Sequence, residues 1–293
     1  MADEKALPDF DALWNYDDAA ATEAQFRQLL PLAVAAGDTS YHAALLTQLA
    51  RTYSLRGLFA EAHALLDEVA ACETAVSPLT WSRYLLERGR TYRSAGQAET
   101  AVPLFHDALS FAQQAGAAYH ALDAIHMLAI ASPPAEQIAW GRKGLQLAAQ
   151  TADVRAQNWR GALLNNLAWT YHDQGQYAAA LDLFQQALVW REAHSADKPD
   201  TIRIARWSVA RALRSLGRFA EALAMQQALL AAYEAAGAED GFVYEELGEC
   251  LLALGRAAEA RPYFAQAYSL LAALGWVEAD RLQRLSALAQ EAA

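Results

Sequence analysis

One phrase recurs along this chain of 293 residues, and five glycines mark it: Gly57, Gly96, Gly175, Gly217 and Gly255. The intervals are 39, 79, 42 and 38 residues, so the second interval spans two units with one glycine missing. The clearest copy runs from Leu164 to Leu188, with Gly175 near its middle. Self-similarity at roughly 40 residues means stacked supersecondary units, each too small to bury its apolar face alone. A single globular core is excluded by that spacing.

Each unit reads as a first helix, here called A, a glycine turn, and a second helix, B. In the A helices apolar or small residues recur at i, i+3, i+4 and i+7: Leu46, Leu49, Ala50 and Tyr53; Leu164, Leu167, Ala168 and Tyr171; Tyr244, Leu247, Gly248 and Leu251. The B helices carry Ala101, Phe105 and Ala108, then Ala180, Phe184 and Ala187, then Ala260, Phe264 and Ala267, an aromatic knob between alanines. The turn glycine supplies the positive φ that ends an A helix. Asp38, Asp153 and Asp240 are expected caps, and Ser77-Pro78 and Ser132-Pro133 read as cap plus first-turn proline. Pro103 and Pro262 fall inside B helices, where a mild kink is expected.

The phrase Leu163-Leu164-Asn165-Asn166-Leu167-Ala168, with Gly175-Gln176-Tyr177 and Ala180, resembles the tetratricopeptide repeat (TPR). The form is the long one of about 40 residues, like the repeats of kinesin light chains and bacterial peptide-sensing regulators. Gly57-Phe59-Ala62 and Gly217-Phe219-Ala222 carry the same signature. The resemblance covers about residues 40 to 274. It implies an all-α, TPR-type helical-hairpin solenoid, a right-handed superhelix of about 14 helices. The expected organisation is an N-terminal extension and capping helix over 1–37, six helix pairs over 38–275, and a C-terminal capping helix over 276–293. The third pair is degenerate, because Ala131-Ser132-Pro133-Pro134 replaces the glycine turn. Arg88, Arg206 and Gln226 stand where the repeat is normally apolar.

In this family the A helices line the concave groove. The resemblance therefore implies a ligand-binding set of Arg51, Arg83, Arg90, Arg93, His126, Asn165, Asn166, Trp169, His172, Trp207, Arg211 and Arg214. Only Asp123, Glu245 and Glu249 oppose the arginines there, so the groove is expected to be basic and aromatic although the chain carries a formal charge of −11. Guanidiniums fork onto carboxylates, indoles cover apolar anchors, and an asparagine amide bonds extended backbone. The expected ligand is an acidic, partly apolar protein or peptide segment. The competing expectation is that groove arginines pair with carboxylates of neighbouring helices, such as Glu87. The five-residue clamp that some relatives use for C-terminal peptides maps onto His126, Ile130, Asn166, Ile204 and Ser208; only Asn166 matches, and that mode is rejected.

Function is expected to be non-enzymatic: a scaffold or adaptor, or alternatively a ligand-gated regulator that senses a short peptide or small molecule and acts on a partner protein. An enzyme built on His126, His172 and Arg93 is the weakest reading. Seven scattered histidines form no ligand spacing, Cys72 and Cys250 form no framework, and there is no phosphate loop or nucleophile elbow. No metal or cofactor is expected. The acidic balance disfavours nucleic acid. No charge-free run of about 18 apolar residues suggests a membrane span, and Met1 to Lys5 do not begin a secretory signal, so the expected location is cytoplasmic. A homodimer through a cap helix is left open.

Overall fold

The computed structural model describes residues 7–290; the acidic start at Met1–Lys5 and the last residues of the expected C-terminal cap lie outside them. The chain forms two compact units, Met1–Leu163 and Leu164–Ala293. The first holds a short 3-10 turn at Phe10–Leu13, then α1 (Ala19–Ala36), α2 (Thr39–Leu55), α3 (Phe59–Ala70), α4 (Pro78–Ser94), α5 (Ala98–Gln114), α6 (Ala118–Ala131), α7 (Pro134–Gln150) and the single turn α8 (Val154–Gln157). The division falls within α9 (Trp159–Asp173). The second unit continues with α10 (Tyr177–His194), α11 (Pro199–Ser215), α12 (Phe219–Ala235), α13 (Gly241–Ala253), α14 (Ala257–Ala273) and α15 (Ala279–Gln290). Fourteen helices of twelve residues or more and no strand occur among the described residues, so the fold is an all-α helical repeat. No described helix is long and apolar enough to cross a membrane.

The turns follow from backbone chemistry. Gly57, Gly96, Gly175, Gly217 and Gly255 all adopt φ between +74° and +80°. The residue after each donates its N–H to the carbonyl five positions back: Leu58 to Tyr53 at 3.0 Å, Gln97 to Tyr92 and Gln176 to Tyr171 at 2.9 Å, Arg218 to Leu213 at 3.0 Å and Arg256 to Leu251 at 2.9 Å. This closing bond satisfies an orphan carbonyl and needs a left-handed residue before it, which glycine adopts without a Cβ penalty. At the start of helices, Asp38, Asp153 and Asp240 accept from backbone N–H groups as expected. Ser77 accepts from the Thr80 N–H ahead of Pro78.

Ser132-Pro133 behaves otherwise. Ser132 closes α6, Pro133 takes the position before α7, and the Ser132 hydroxyl is buried with no hydrogen-bond partner among the described residues. Pro134 removes one of the two N–H groups a Ser132 cap could bond, and the helix starts one residue later, with Pro133 at the cap position. α5 and α14 run unbroken through Pro103 and Pro262. α15 begins at Ala279, three residues later than periodicity places it. Gly275 turns the chain with φ +73°, leaving Trp276 65% exposed and Val277 buried.

Within each unit the B-helix phenylalanines are the fixed points of packing. Phe105, Phe184 and Phe264 are fully or almost fully buried; each such ring contributes roughly 1.5–3 kcal/mol of transfer free energy. Opposite them the A helix must be small. A Cβ added at Gly89 would stand 2.5 Å from Phe105 Cε1, and one at Gly248 2.7 Å from Phe264 Cε1. Arg88, at its normally apolar position, is 8% exposed and is held by Asp67 and by His63 Nδ1, both on α3. Gln226 is buried with both amide atoms unpartnered among the described residues, and nothing in the structure explains it.

Candidate binding faces of the two units

In the first unit α2, α4 and α6 lie side by side and bring four of the expected groove arginines to one face. Arg51 on α2 reaches both carboxylate oxygens of Glu87 on α4 at 3.2 Å. Glu87 also accepts from Arg90 at 2.6 Å, and Arg90 bonds Asp123 on α6. The sequence of charges across the three helices is therefore plus, minus, plus, minus. Burial opposes ionisation of Arg90, but Asp123 and Glu87 outweigh it and hold its pKa above the ordinary value. Asp123 is desolvated too, yet Arg90 and Arg51 keep its carboxyl below the usual range. Burial drives His126 down to about 4, and it drives His120 down to about 4 with Arg83 assisting.

The remaining guanidiniums differ in kind. Arg83 forks onto Asp11, with Nη1 to Oδ1 at 2.9 Å and Nη2 to Oδ2 at 2.5 Å. Arg155 on α8 adds a third bond to Asp11 at 3.2 Å. Burial raises the Asp11 pKa, but both arginines together hold it below the carboxylate range. Asp11 belongs to the segment ahead of α1, and its neighbours follow it onto the A helices. The Trp14 indole N–H donates to Gln48 at 2.9 Å. The Arg51 guanidinium stands 5.9 Å from the Trp14 ring and 5.6 Å from the Tyr16 ring. Phe10 packs edge-on against Phe26 and Tyr41, with Arg83 5.3 Å over its ring. Arg93 makes no ion pair among the described residues; it is exposed at the rim of a pocket of about 160 Å³ lined also by Arg51, Ser54, Met127 and Ile130.

The second unit presents aromatic rings in a row. Trp169 on α9 lies 6.0 Å from Trp207 on α11, Trp207 6.4 Å from Phe242 on α13, and Phe242 6.1 Å from Trp276. The Trp207 indole N–H donates to the Phe242 carbonyl at 3.3 Å. Beside the row, Arg214 forks onto Glu246 at 2.7 and 2.9 Å, and Arg211 reaches the same carboxylate at 3.2 Å. Arg281 forks onto Glu245, and Arg284 bonds Glu249. His172 Nε2 sits 2.9 Å from the Ser215 hydroxyl, which also accepts from Arg211 at 2.7 Å. Burial, then the Arg211 charge, lowers the His172 pKa. Asn165 and Asn166 are half-buried on α9, with the Asn165 amide 3.4 Å from the Asn166 carbonyl oxygen.

Both faces are thus less basic than their arginine content suggests, because carboxylates on the next helix meet most guanidiniums. Asp123, Glu245, Glu249 and Glu87 are the carboxylates expected here from the sequence; Glu246, Asp11, Trp14 and Tyr16 were not among the expected residues. The available signal was the density of aromatic residues in Phe10-Asp11-Ala12-Leu13-Trp14-Asn15-Tyr16, unlike a solvated tail. Among the described residues no group of three or more His, Cys, Asp or Glu side chains is placed to hold a metal.

Three tetratricopeptide repeat profiles match the chain, over residues 159–235, 42–76 and 243–270. No curated protein matches it in sequence. A kinesin light chain protein of Podosopora anserina with nearly identical TPR-like repeats is 23% identical, with a TM-score of 0.53, over 65% of this chain and 95% of that one. A tetratricopeptide repeat protein from Parabacteroides merdae is 17% identical, with a TM-score of 0.56, over 96% and 99%. NprR, solved with its cognate peptide NprX, is 16% identical, with a TM-score of 0.54, over 98% and 84%. At these identities the solved structures speak for the fold alone, and the profiles place the repeat signature in both units. The chain carries tetratricopeptide repeats in both units.

Proposed function

We propose that this chain is a non-enzymatic, cytoplasmic binding scaffold whose A-helix faces take a protein or peptide segment that is acidic and partly apolar. The observation that carries the reading is the row Trp169, Trp207, Phe242 and Trp276 beside paired guanidiniums in the second unit. The rings offer rigid apolar area at little entropic cost. Arg211, Arg214, Arg281 and Arg284 face three carboxylates, Glu245, Glu246 and Glu249, which leaves one positive charge in excess. An acidic residue placed beside an apolar anchor answers both features.

The test is selection from a random peptide display library against the whole chain. Enriched sequences should combine carboxylates with a large apolar residue. Trp207→Ala should weaken the best of them about tenfold, roughly 1.4 kcal/mol. Enrichment of basic peptides, or equal affinity for the variant, would remove the proposal. The second reading, a ligand-gated regulator, draws on the likeness to NprR, whose solved complex holds a peptide. It requires the selected peptide to change the shape of the chain, read as compaction in solution scattering.

A further inference from the structure

The first unit already carries a segment of the chemistry proposed above. We propose that residues 11–16, tethered through the buried Phe10, are an occupant of its A-helix face that is displaceable by an external segment in which an aspartate is flanked by aromatic residues. This rests on the reading that such faces take acidic, partly apolar segments.

The grip on the segment is graded. Phe10 is 6% exposed and belongs to the core formed with Phe26, Leu45 and Leu49. Beyond it the burial falls away: Leu13 and Trp14 are half-buried, and Tyr16 is 60% exposed. The backbone from Ala12 to Asp17 bonds only locally, within residues 9–22. What ties this stretch to α2, α4 and α8 is side-chain chemistry: the Asp11 carboxylate on Arg83 and Arg155, the Trp14 indole on Gln48, and the two rings against Arg51. A separate polypeptide can supply every one of those groups. Phe10 meanwhile anchors the tether; Leu13 and Trp14 pack on the same core from its half-buried edge, so release gives up the edge-on contact of Trp14 with Phe26 while Phe10 stays in place.

The tether also leaves part of the face unused. Arg51, which stands over the Tyr16 ring, also lines the pocket bordered by Arg93, Met127 and Ile130, and among the described residues the Arg93 guanidinium pairs with no carboxylate. An external segment longer than the tether gains that ion pair. The competition is quantitative. A tether held at an effective concentration of about 1 mM raises the apparent Kd of a ligand that competes for its site about 100-fold when tether and site associate with a Kd of about 10 μM.

The experiment uses a labelled synthetic peptide with the sequence of residues 7–18 and the whole chain, either wild type or Asp11→Asn/Trp14→Ala, both of which retain Phe10. Fluorescence anisotropy should give about 100-fold tighter binding to the double variant. Adding Arg83→Ala to that variant, or Asp11→Lys in the peptide, should abolish the gain. In the wild type at saturating peptide, hydrogen exchange at residues 11–17 should accelerate while α2 and α4 stay protected, a readout that needs no substitution. Equal affinity for the two chains, or peptide binding that leaves exchange at 11–17 unchanged, overturns the inference. If peptide selection by the second unit remains sensitive to Trp207→Ala while the released first unit ignores the peptide, this inference fails and the binding function stands. If both vanish, the reading of the faces is wrong.

Discussion

The two units share one helical grammar and treat their guanidiniums differently. In the first, Arg51, Glu87, Arg90 and Asp123 form a mostly buried relay over three A helices, and the residues ahead of α1 lie across the face. In the second, Arg211 and Arg214 share Glu246, while a row of rings beside them stays partly open. In both, a charge on one A helix is answered on the next. Ion pairs between successive A helices thus tie neighbouring helix pairs within each unit, and on the proposed function the groups left for a ligand are the exposed rings and the open side of guanidiniums already anchored.

The largest expected contrast lies at the relay. Glu87 is 4% and Asp123 10% exposed in their side chains, and Arg90 is the cation that bridges them. Arg90→Ala leaves Asp123 without its hydrogen-bonded cation and Glu87 with Arg51 alone. Removing one partner of a buried pair costs about 3–5 kcal/mol. Arg211→Ala leaves Glu246 with the Arg214 fork intact and should cost on the order of 1 kcal/mol. Urea unfolding of both variants measures the difference; equal losses would mean that the relay is no more integral to the first unit than the fork is to the second.

Acid should separate the units next. His120 and His126 titrate near 4 in the folded chain against an ordinary value of 6.5. Between those values the unfolded chain binds more protons, so stability is full above about pH 6.5 and falls as the pH drops toward 4. The groups facing His120 are Arg83, Asp123, Asp11 and Arg155; those facing His126 are Asp123, Arg90, Arg93 and Arg51. A shift of this size is worth at most about 3 kcal/mol per site. Asp11 and Asp123, whose carboxyls are held low, add losses only below about pH 4. At pH 5 amide exchange should therefore rise in α4 and α6 before α11 and α13, and His120→Gln should flatten the dependence. Simultaneous loss of protection in both units would contradict the assignment.

What the sequence disclosed and what it hid divide along contact range. The repeat, the turn glycines and the Asp38, Asp153 and Asp240 caps are local: a positive φ at Gly175 or an N–H near Asp38 is determined within a few residues. The placement of Arg90 and Arg211 on A helices came from the same periodicity. Their neutralisation matches the competing expectation of pairing with carboxylates such as Glu87, but the individual partners did not follow from the period, because Arg51 meets Glu87 across 36 residues and Arg214 meets Glu246 across 32. Those pairings need the register between helices, which in α11 and α12 was blurred by Arg206 and Gln226. Asp11 lies 72 residues from Arg83 and 144 from Arg155, where no period reports a contact. Only the aromatic density around Asp11 could have signalled that the segment packs.

The smallest effect tests whether burial, rather than ideal distance, sets the value of these pairs. Arg218 forks onto Glu221 at 2.7 and 2.6 Å, and Arg256 onto Glu259 at 2.7 Å twice, each arginine directly following a turn glycine. By distance they equal the Arg214–Glu246 fork. Both partners of each pair are, however, about half exposed, so water and salt screen the attraction and two long side chains lose rotamer freedom to hold it. Arg218→Ala and Arg256→Ala should leave the urea midpoint where it is, at low salt as at 0.5 M. A midpoint shift matching that of Arg211→Ala would show that these exposed forks contribute as much as the half-buried one, and the contrast between relay and fork would then have to be explained by something other than desolvation.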